Sequence, residues 1–178
     1  MHLIPVGYNA KRRTARPEWL DAPAVRDICS VSTCIAGGPE GRLCDWELNA
    51  FGLFGSPDAA WRVVPADEAD RFELFAYRVA PILFDERGEH PMQVAGLRVD
   101  PALEDYRSLG FDAVSRSGTT FFECSPLSCN SAATEMATNE HCLFPTLEAA
   151  MTGARRFARG NWEPGPYFVL EVLASSIA

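Results

Sequence analysis

Two stretches of this chain repeat each other, and the repetition limits the folds open to it. Cys29-Ser30-Val31-Ser32-Thr33-Cys34 is echoed by Cys124-Ser125-Pro126-Leu127-Ser128-Cys129. Downstream of the first copy come Asn49, Leu53, Phe54, Ser56, Asp58, Ala59 and Ala60. Downstream of the second, at the same internal spacing, come Asn139, Leu143, Phe144, Thr146, Glu148, Ala149 and Ala150. An aromatic-rich apolar run follows each, Phe72–Val79 and then Tyr167–Leu173. Three collinear echoes point to two related halves, 25–99 and 100–178. Each reads as strand, irregular segment, short strand, capped helix, strand. The windows are short and unequally spaced, so chance is the competing explanation. No Gly/Ser linker separates the halves, so they are expected to share one core.

The remaining elements follow from local chemistry. Residues 1–24, broken by Pro5, Pro17 and Pro23, read as an irregular arm, leaving 25–178 as a single globular domain. Val25–Ile35 is β-branched enough for a strand, and Phe72–Phe84 loads both faces with apolar side chains, as a central strand does. Pro81 is expected to end its regular pairing. Met92–Val99 reads as a further strand, and Asp100–Leu109 as a short helix or turn. Phe111–Ser115 and Thr120–Cys124 flank a hairpin turn at Arg116-Ser117-Gly118-Thr119. Ser56 and Thr146 are N-caps, and Leu147, Ala150, Met151, Ala154 and Phe157 form one helical stripe. Ser128 or Asn130 is placed to cap a helix through Ala132, Met136 and Ala137. The fold class expected is α+β: a mixed or antiparallel sheet with two or three short helices, in two pseudo-duplicated halves.

At 178 residues and 47% hydrophobic, the chain can bury a sizeable core without a staple. No apolar run approaches the roughly 18 residues of a membrane span, and the first residues do not read as a signal peptide. A cytoplasmic location with reduced cysteines is therefore expected. Fifteen arginines against one lysine, Lys11, match a GC-rich bacterial genome. The net charge of −8 opposes general nucleic-acid binding and suits a basic protein partner.

Several constellations bear on chemistry. Cys29, Cys34, Cys124 and Cys129 form two C-x4-C pairs that a pseudo-twofold could gather around zinc, with Cys44, His141 and Cys142 as spare ligands. C-x2-C is the commoner zinc spacing, and buried packing explains isolated cysteines without any metal, so the expectation is no cofactor. Alternatively Cys124, at a strand end, is a nucleophile with His141 as base and Glu123 orienting it. Arg116 with Ser117, Thr119 and a strand glutamate, Glu123 or Glu171, holds the parts of an ADP-ribosyltransferase-like NAD site; a hairpin turn is the simpler reading. Ser125, Ser128 and Asn130 are expected to border a concavity, and Trp162, in a Pro- and Gly-rich loop, to offer a rigid binding aromatic. Phosphate-loop, dinucleotide, nucleophile-elbow and HExxH motifs are missing. Acidity with missing catalytic motifs favours a protein-binding, immunity-type inhibitor. The alternative is a small enzyme centred on Glu123–Asn130.

Overall fold

Long apolar runs fully buried on both faces belong in the middle of a sheet. Two strands meet that description here, β4 (Glu73–Asp85) and β7 (Tyr167–Ser175). They lie side by side, antiparallel, at the centre of the main sheet. β1 (Ile4–Lys11) flanks β4 and β6 (Tyr106–Ser115) flanks β7, giving the order β1-β4-β7-β6. β5 (Gly88–Pro91) folds back on β4 as a hairpin. A small second sheet pairs β2 (Thr14–Ala15) with β3 (Asp27–Ile28). These elements come from a computed structural model that describes residues 1–32, 34–35, 48–94, 96–100, 103, 105–118, 122–160 and 162–176. The architecture is α+β, and every pairing in the main sheet is antiparallel.

The two halves repeat one local design. Each outer strand carries a bulge before a positive-φ glycine, Gly7 (φ 140°) in β1 and Gly110 (φ 136°) in β6. Each bulge receives a tight turn opened by asparagine. Asn49 Nδ2 donates to the Val6 carbonyl (2.7 Å), and Asn49 Oδ1 accepts from the Phe51 and Leu53 amides. Asn139 does the same with the Leu109 carbonyl (2.6 Å) and the His141 and Leu143 amides. Phe54 then exchanges two backbone hydrogen bonds with Tyr8, as Phe144 does with Phe111. A side chain at either glycine would strike the incoming turn: a Cβ would lie 2.7 Å from the Phe54 carbonyl oxygen at Gly7 and 2.8 Å from that of Phe144 at Gly110. Tyr77 and Val172, the residues opposite the two glycines, pair with each other at the sheet centre. Leu53 and Leu143 occupy matching places in this design, as the echo predicts.

Each turn feeds a capped helix. Ser56 Oγ accepts from the Ala59 amide at the start of α1 (Pro57–Arg62), and Thr146 Oγ1 from the Ala149 amide at α3 (Leu147–Gly160). Both helices pack on one face of the sheet, α1 over Tyr8, Leu74 and Ala76, α3 over Ala80, Ala113 and Val169. The other face carries Phe75, Tyr77, Val79, Leu170 and Val172, covered by Cys29, Val31, Phe51, Leu53, Phe122 and Leu143. By register, Asn9 and Asp112 point to this second face.

The structure corrects several expectations. The stretch 1–24 is not an irregular arm: it supplies β1 and β2, with Pro5 at a sheet edge and Gly7 in the bulge disguising the strand. Only Asp27–Ile28 of Val25–Ile35 pairs as strand. Pro81 lies inside β4, where a register shift between Val79 and Leu83 accommodates its missing N–H. Met92, Val94 and Leu97 cover the second face without joining a ladder, because the hairpin partner of β4 is β5. Tyr106–Leu109 opens β6 rather than lying in a helix. The expected helix through Ala132, Met136 and Ala137 shrinks to α2 (Pro126–Cys129) and a 3-10 turn at Ala132–Thr134, separated by Ser131 at φ 59°.

Asn49→Ala and Asn139→Ala each remove three hydrogen bonds at a buried turn, so each should cost about 2–4 kcal/mol at about 1 kcal/mol per bond plus orphaned backbone groups. Thr146→Ala, losing one cap bond, should cost about 0.5–2 kcal/mol. Urea denaturation of the three variants checks the order. An asparagine variant as stable as the parent would refute the shared turn design.

Candidate functional site

The second face of the sheet buries ionisable groups, and these organise both cysteine segments. Asp112, wholly inaccessible on β6, accepts from Ser30 Oγ (2.6 Å) and Ser125 Oγ (2.7 Å). These serines are the matching second residues of the two echoed motifs, so one carboxylate holds both copies. Lys11, at the end of β1, is equally buried and donates from Nζ to the Ser30 carbonyl (2.7 Å) and the Ser32 carbonyl (2.6 Å). Ser32 Oγ donates to the Glu123 carbonyl and accepts from the Cys34 amide. The Cys129 amide donates to the Ser125 carbonyl at 2.8 Å.

The outcome is a convergence of three thiols. Cys34, exposed, Cys124, buried, and Cys129, partly buried, bring their sulfurs within 4.8 Å of one another. Pro126 starts the short α2 turn that folds Cys129 back toward Cys124. Hydrogen bonding from Cys124 draws the Cys129 thiol down to about 6, helped by a backbone bond from Ser125 and by Cys34 and Ser128. The neighbouring sulfurs take the opposite shift: the Cys129 contact and burial push Cys124 up, and burial pushes Cys34 up. The shifts are linked: what favours loss of the proton at Cys129 favours its retention at Cys124 and Cys34. Glu163 lies near enough to raise Cys34 and Cys124 further, and its carboxylate accepts from Asn130 Nδ2 at 2.9 Å.

Cys29 does not join this cluster. Its sulfur donates to Asp27 Oδ1 (3.4 Å), beside His141 Nδ1 at 2.7 Å from the same oxygen. Asp27, Cys29 and His141 also have metal-ligand spacing. However, Arg26 (3.1 Å) and Arg13 (3.4 Å) occupy the other carboxylate oxygen, so cations already neutralise it. Burial, then the Asp27 charge, pushes the Cys29 thiol far up, which makes it neither a nucleophile nor a ready ligand. Cys142 is buried and likewise pushed up, to about 12. Cys44 lies outside the described residues.

The other candidate residues have structural partners. His141 sits with Asp27 and Cys29, in a different cluster from Cys124. Glu123 accepts from the amide and hydroxyl of Ser117, bracing the turn. Arg116 donates to the Ala50 carbonyl and stacks on Phe51, and Glu171 pairs with Arg78 across β4–β7. Ser125 and Ser128 are buried, their hydroxyls satisfied by Asp112 and by the Ser125 carbonyl. Trp162 packs edge-on against Phe157, under the Arg156 guanidinium. The sequence reading missed Asp112 and Lys11. The signal was the echo of Gly7-Tyr8-Asn9-Ala10 in Gly110-Phe111-Asp112-Ala113. No protein-family model matches the chain, and no curated protein or solved structure matches it significantly.

Burial pulls the Lys11 ammonium down from 10.5 to about 7, against the opposing charges of Asp112, Cys29 and Cys129. A neutral amine still has the two hydrogens that the Ser30 and Ser32 carbonyls require. The unfolded chain holds this proton up to about 10.5, so between 7 and 10.5 it binds more protons than the folded chain. Stability should therefore rise with pH across that window. Cys129, lowered from 9.0 to about 6, adds the same sign up to pH 9. Closer to pH 9 the thiols that folding pushes up, Cys29, Cys34, Cys124 and Cys142, act in the opposite sense, so urea midpoints under reducing conditions should increase from about pH 7 to about pH 8, and Lys11→Met should flatten the rise without abolishing it. An unchanged slope would exclude a titrating Lys11.

Proposed function

We propose that this chain binds one thiophilic metal ion of the zinc class through Cys34, Cys124 and Cys129, and acts as a metal-responsive binding protein rather than a hydrolase. The convergence of three sulfurs from two distant segments carries this reading. Zinc thiolates at about 2.3 Å stand about 3.8 Å apart around a tetrahedral ion, a spacing that sulfurs within 4.8 Å can adopt by small rotations. Electrostatics favours it too. Three thiols in contact cannot all ionise on their own, whereas a dication compensates three thiolates. Glu163, beside the cluster, or a water would complete the fourth position. Thiolate ligands favour zinc or cuprous ions over magnesium or calcium. The nucleophile alternative loses the base and the orienting carboxylate it named, since His141 is engaged with Asp27 and Glu123 with Ser117.

The net charge of −8 favours a second reading, an inhibitor of a basic protein of the immunity type. That reading requires a one-to-one complex that weakens steeply with salt.

Untagged protein purified under reducing conditions should take up about one zinc per chain, as tetrahedral three- or four-ligand sites do. Cobalt substitution should add sulfur-to-metal charge-transfer absorption in the near ultraviolet. Cys34→Ser, Cys124→Ser and Cys129→Ser should each lose the ion, while Cys29→Ser should keep it. Folded protein that takes up neither zinc nor cobalt, or a Cys29 variant that loses the ion, would overturn the assignment.

A further inference from the structure

We infer that the same cluster is a site of reversible oxidation, in which a hydroperoxide closes a disulfide between Cys34 and Cys129. The effect on a bound ion rests on the metal reading above; the disulfide itself does not. Access and anchoring select the pair. Cys34 is exposed and Cys129 partly exposed, whereas Cys124 is buried. A disulfide needs the sulfurs to close to about 2.05 Å from a spacing that is now within 4.8 Å. Cys124 and Cys129 sit in one braced turn, held by the Cys129 amide on the Ser125 carbonyl (2.8 Å), the Asn130 amide on the Pro126 carbonyl (3.3 Å) and Ser125 on Asp112. The Cys34 amide is held by the Ser32 hydroxyl and Ile35 packs on the core, so it is the exposed Cys34 side chain, not its backbone, that turns toward Cys129.

The chemistry balances with one hydroperoxide. The Cys129 sulfur, as thiolate, attacks a peroxide oxygen, so that an S–O bond forms and the O–O bond breaks. The departing alkoxide, or hydroxide from hydrogen peroxide, takes up the Cys34 proton. The Cys34 sulfur then attacks the sulfenic sulfur, so that the S–S bond forms and the S–O bond breaks. The hydroxide that leaves takes up a proton from solvent as water. Two electrons pass from two thiols to one hydroperoxide. Two of the three metal ligands are consumed, and a bound ion is released. Cys29 and Cys142, buried elsewhere, are spared.

The test treats the full chain with hydrogen peroxide, reduced and metal-free in one arm and zinc-loaded in the other, followed by non-reducing peptide mapping. The expected product has lost two hydrogens, contains a peptide joining Cys34 to Cys129, and reverts with dithiothreitol. From the loaded arm, a chromogenic chelator should collect the released zinc. Cys124→Ala should still form the disulfide while losing the ion. A Cys124–Cys129 disulfide, a sulfinic acid without any disulfide, or unreacted thiols would overturn the inference. If the reduced protein takes up no zinc, the metal reading fails, and the peptide map still decides the disulfide.

Discussion

The buried carboxylate of Asp112 is the interaction on which the second face of the sheet depends. A carboxylate removed from water carries a penalty of several kcal/mol, and burial here still raises the Asp112 pKa despite its partners. What offsets the penalty is a set of hydrogen bonds from Ser30, Ser125 and the Ala113 backbone, with Lys11 as the nearby cation. Short hydroxyl-to-carboxylate bonds are stronger than neutral ones. Each of the two serines follows the first cysteine of its motif. The carboxylate therefore clamps two segments, about a hundred residues apart, to the outer strand β6 of one sheet. The thiol cluster is a consequence of serine chemistry: Ser32 and Ser125 fix the backbones from which Cys34 and Cys129 project.

The repeat is symmetric in its scaffold and asymmetric in its use. Asn9 occupies in β1 the place that Asp112 holds in β6, and Lys11 the place of Val114. A second buried aspartate on the same face of the sheet would add a second buried charge with one lysine to share. The amide avoids that charge, at the cost of leaving Asn9 Oδ1 without a hydrogen-bond partner among the described residues. Tyr77 Oη, at the pairing centre of the sheet, similarly has no partner among the described residues, and burial raises its pKa well above normal. The symmetric positions hold the fold together. The departures from symmetry concentrate charge on one side, beside the thiols.

Much of this was legible in the sequence because it rests on local chemistry. Ser56 and Thr146 announce their helices through the pattern of cap, first-turn acid and apolar stripe. Phe72–Val79 and Tyr167–Leu173 announce central strands through apolar residues on both faces. β1 was hidden, because Pro5, Gly7 and Lys11 each argue against a strand when read alone. All three are accounted for by an edge, a bulge and a buried amine held by the Ser30 and Ser32 carbonyls, which are tertiary facts. The cysteines show the same limit. Equal spacing implied four equivalent thiols, but Pro126 turns the second motif into a helical turn that brings Cys124 and Cys129 together. Val31-Ser32 forms no such turn, and Cys29 is left with Asp27 and His141.

The anchoring also bears on what kind of site a three-thiol cluster would be. In small domains a structural zinc supplies folding energy that the core cannot. Here α1, α3 and the main strands pack through apolar clusters that include none of the three thiols, and a chain of 178 residues buries enough surface to fold without a metal. The clamp at Asp112 also sets the positions of Ser30 and Ser125 independently of the sulfurs. A preformed site with one exposed ligand, Cys34, forfeits little on losing its ion, because the backbone that carries it stays in place. On the proposed reading the ion is exchangeable rather than a staple. Its occupancy would then track the supply of metal and the state of the thiols, not the folding of the chain.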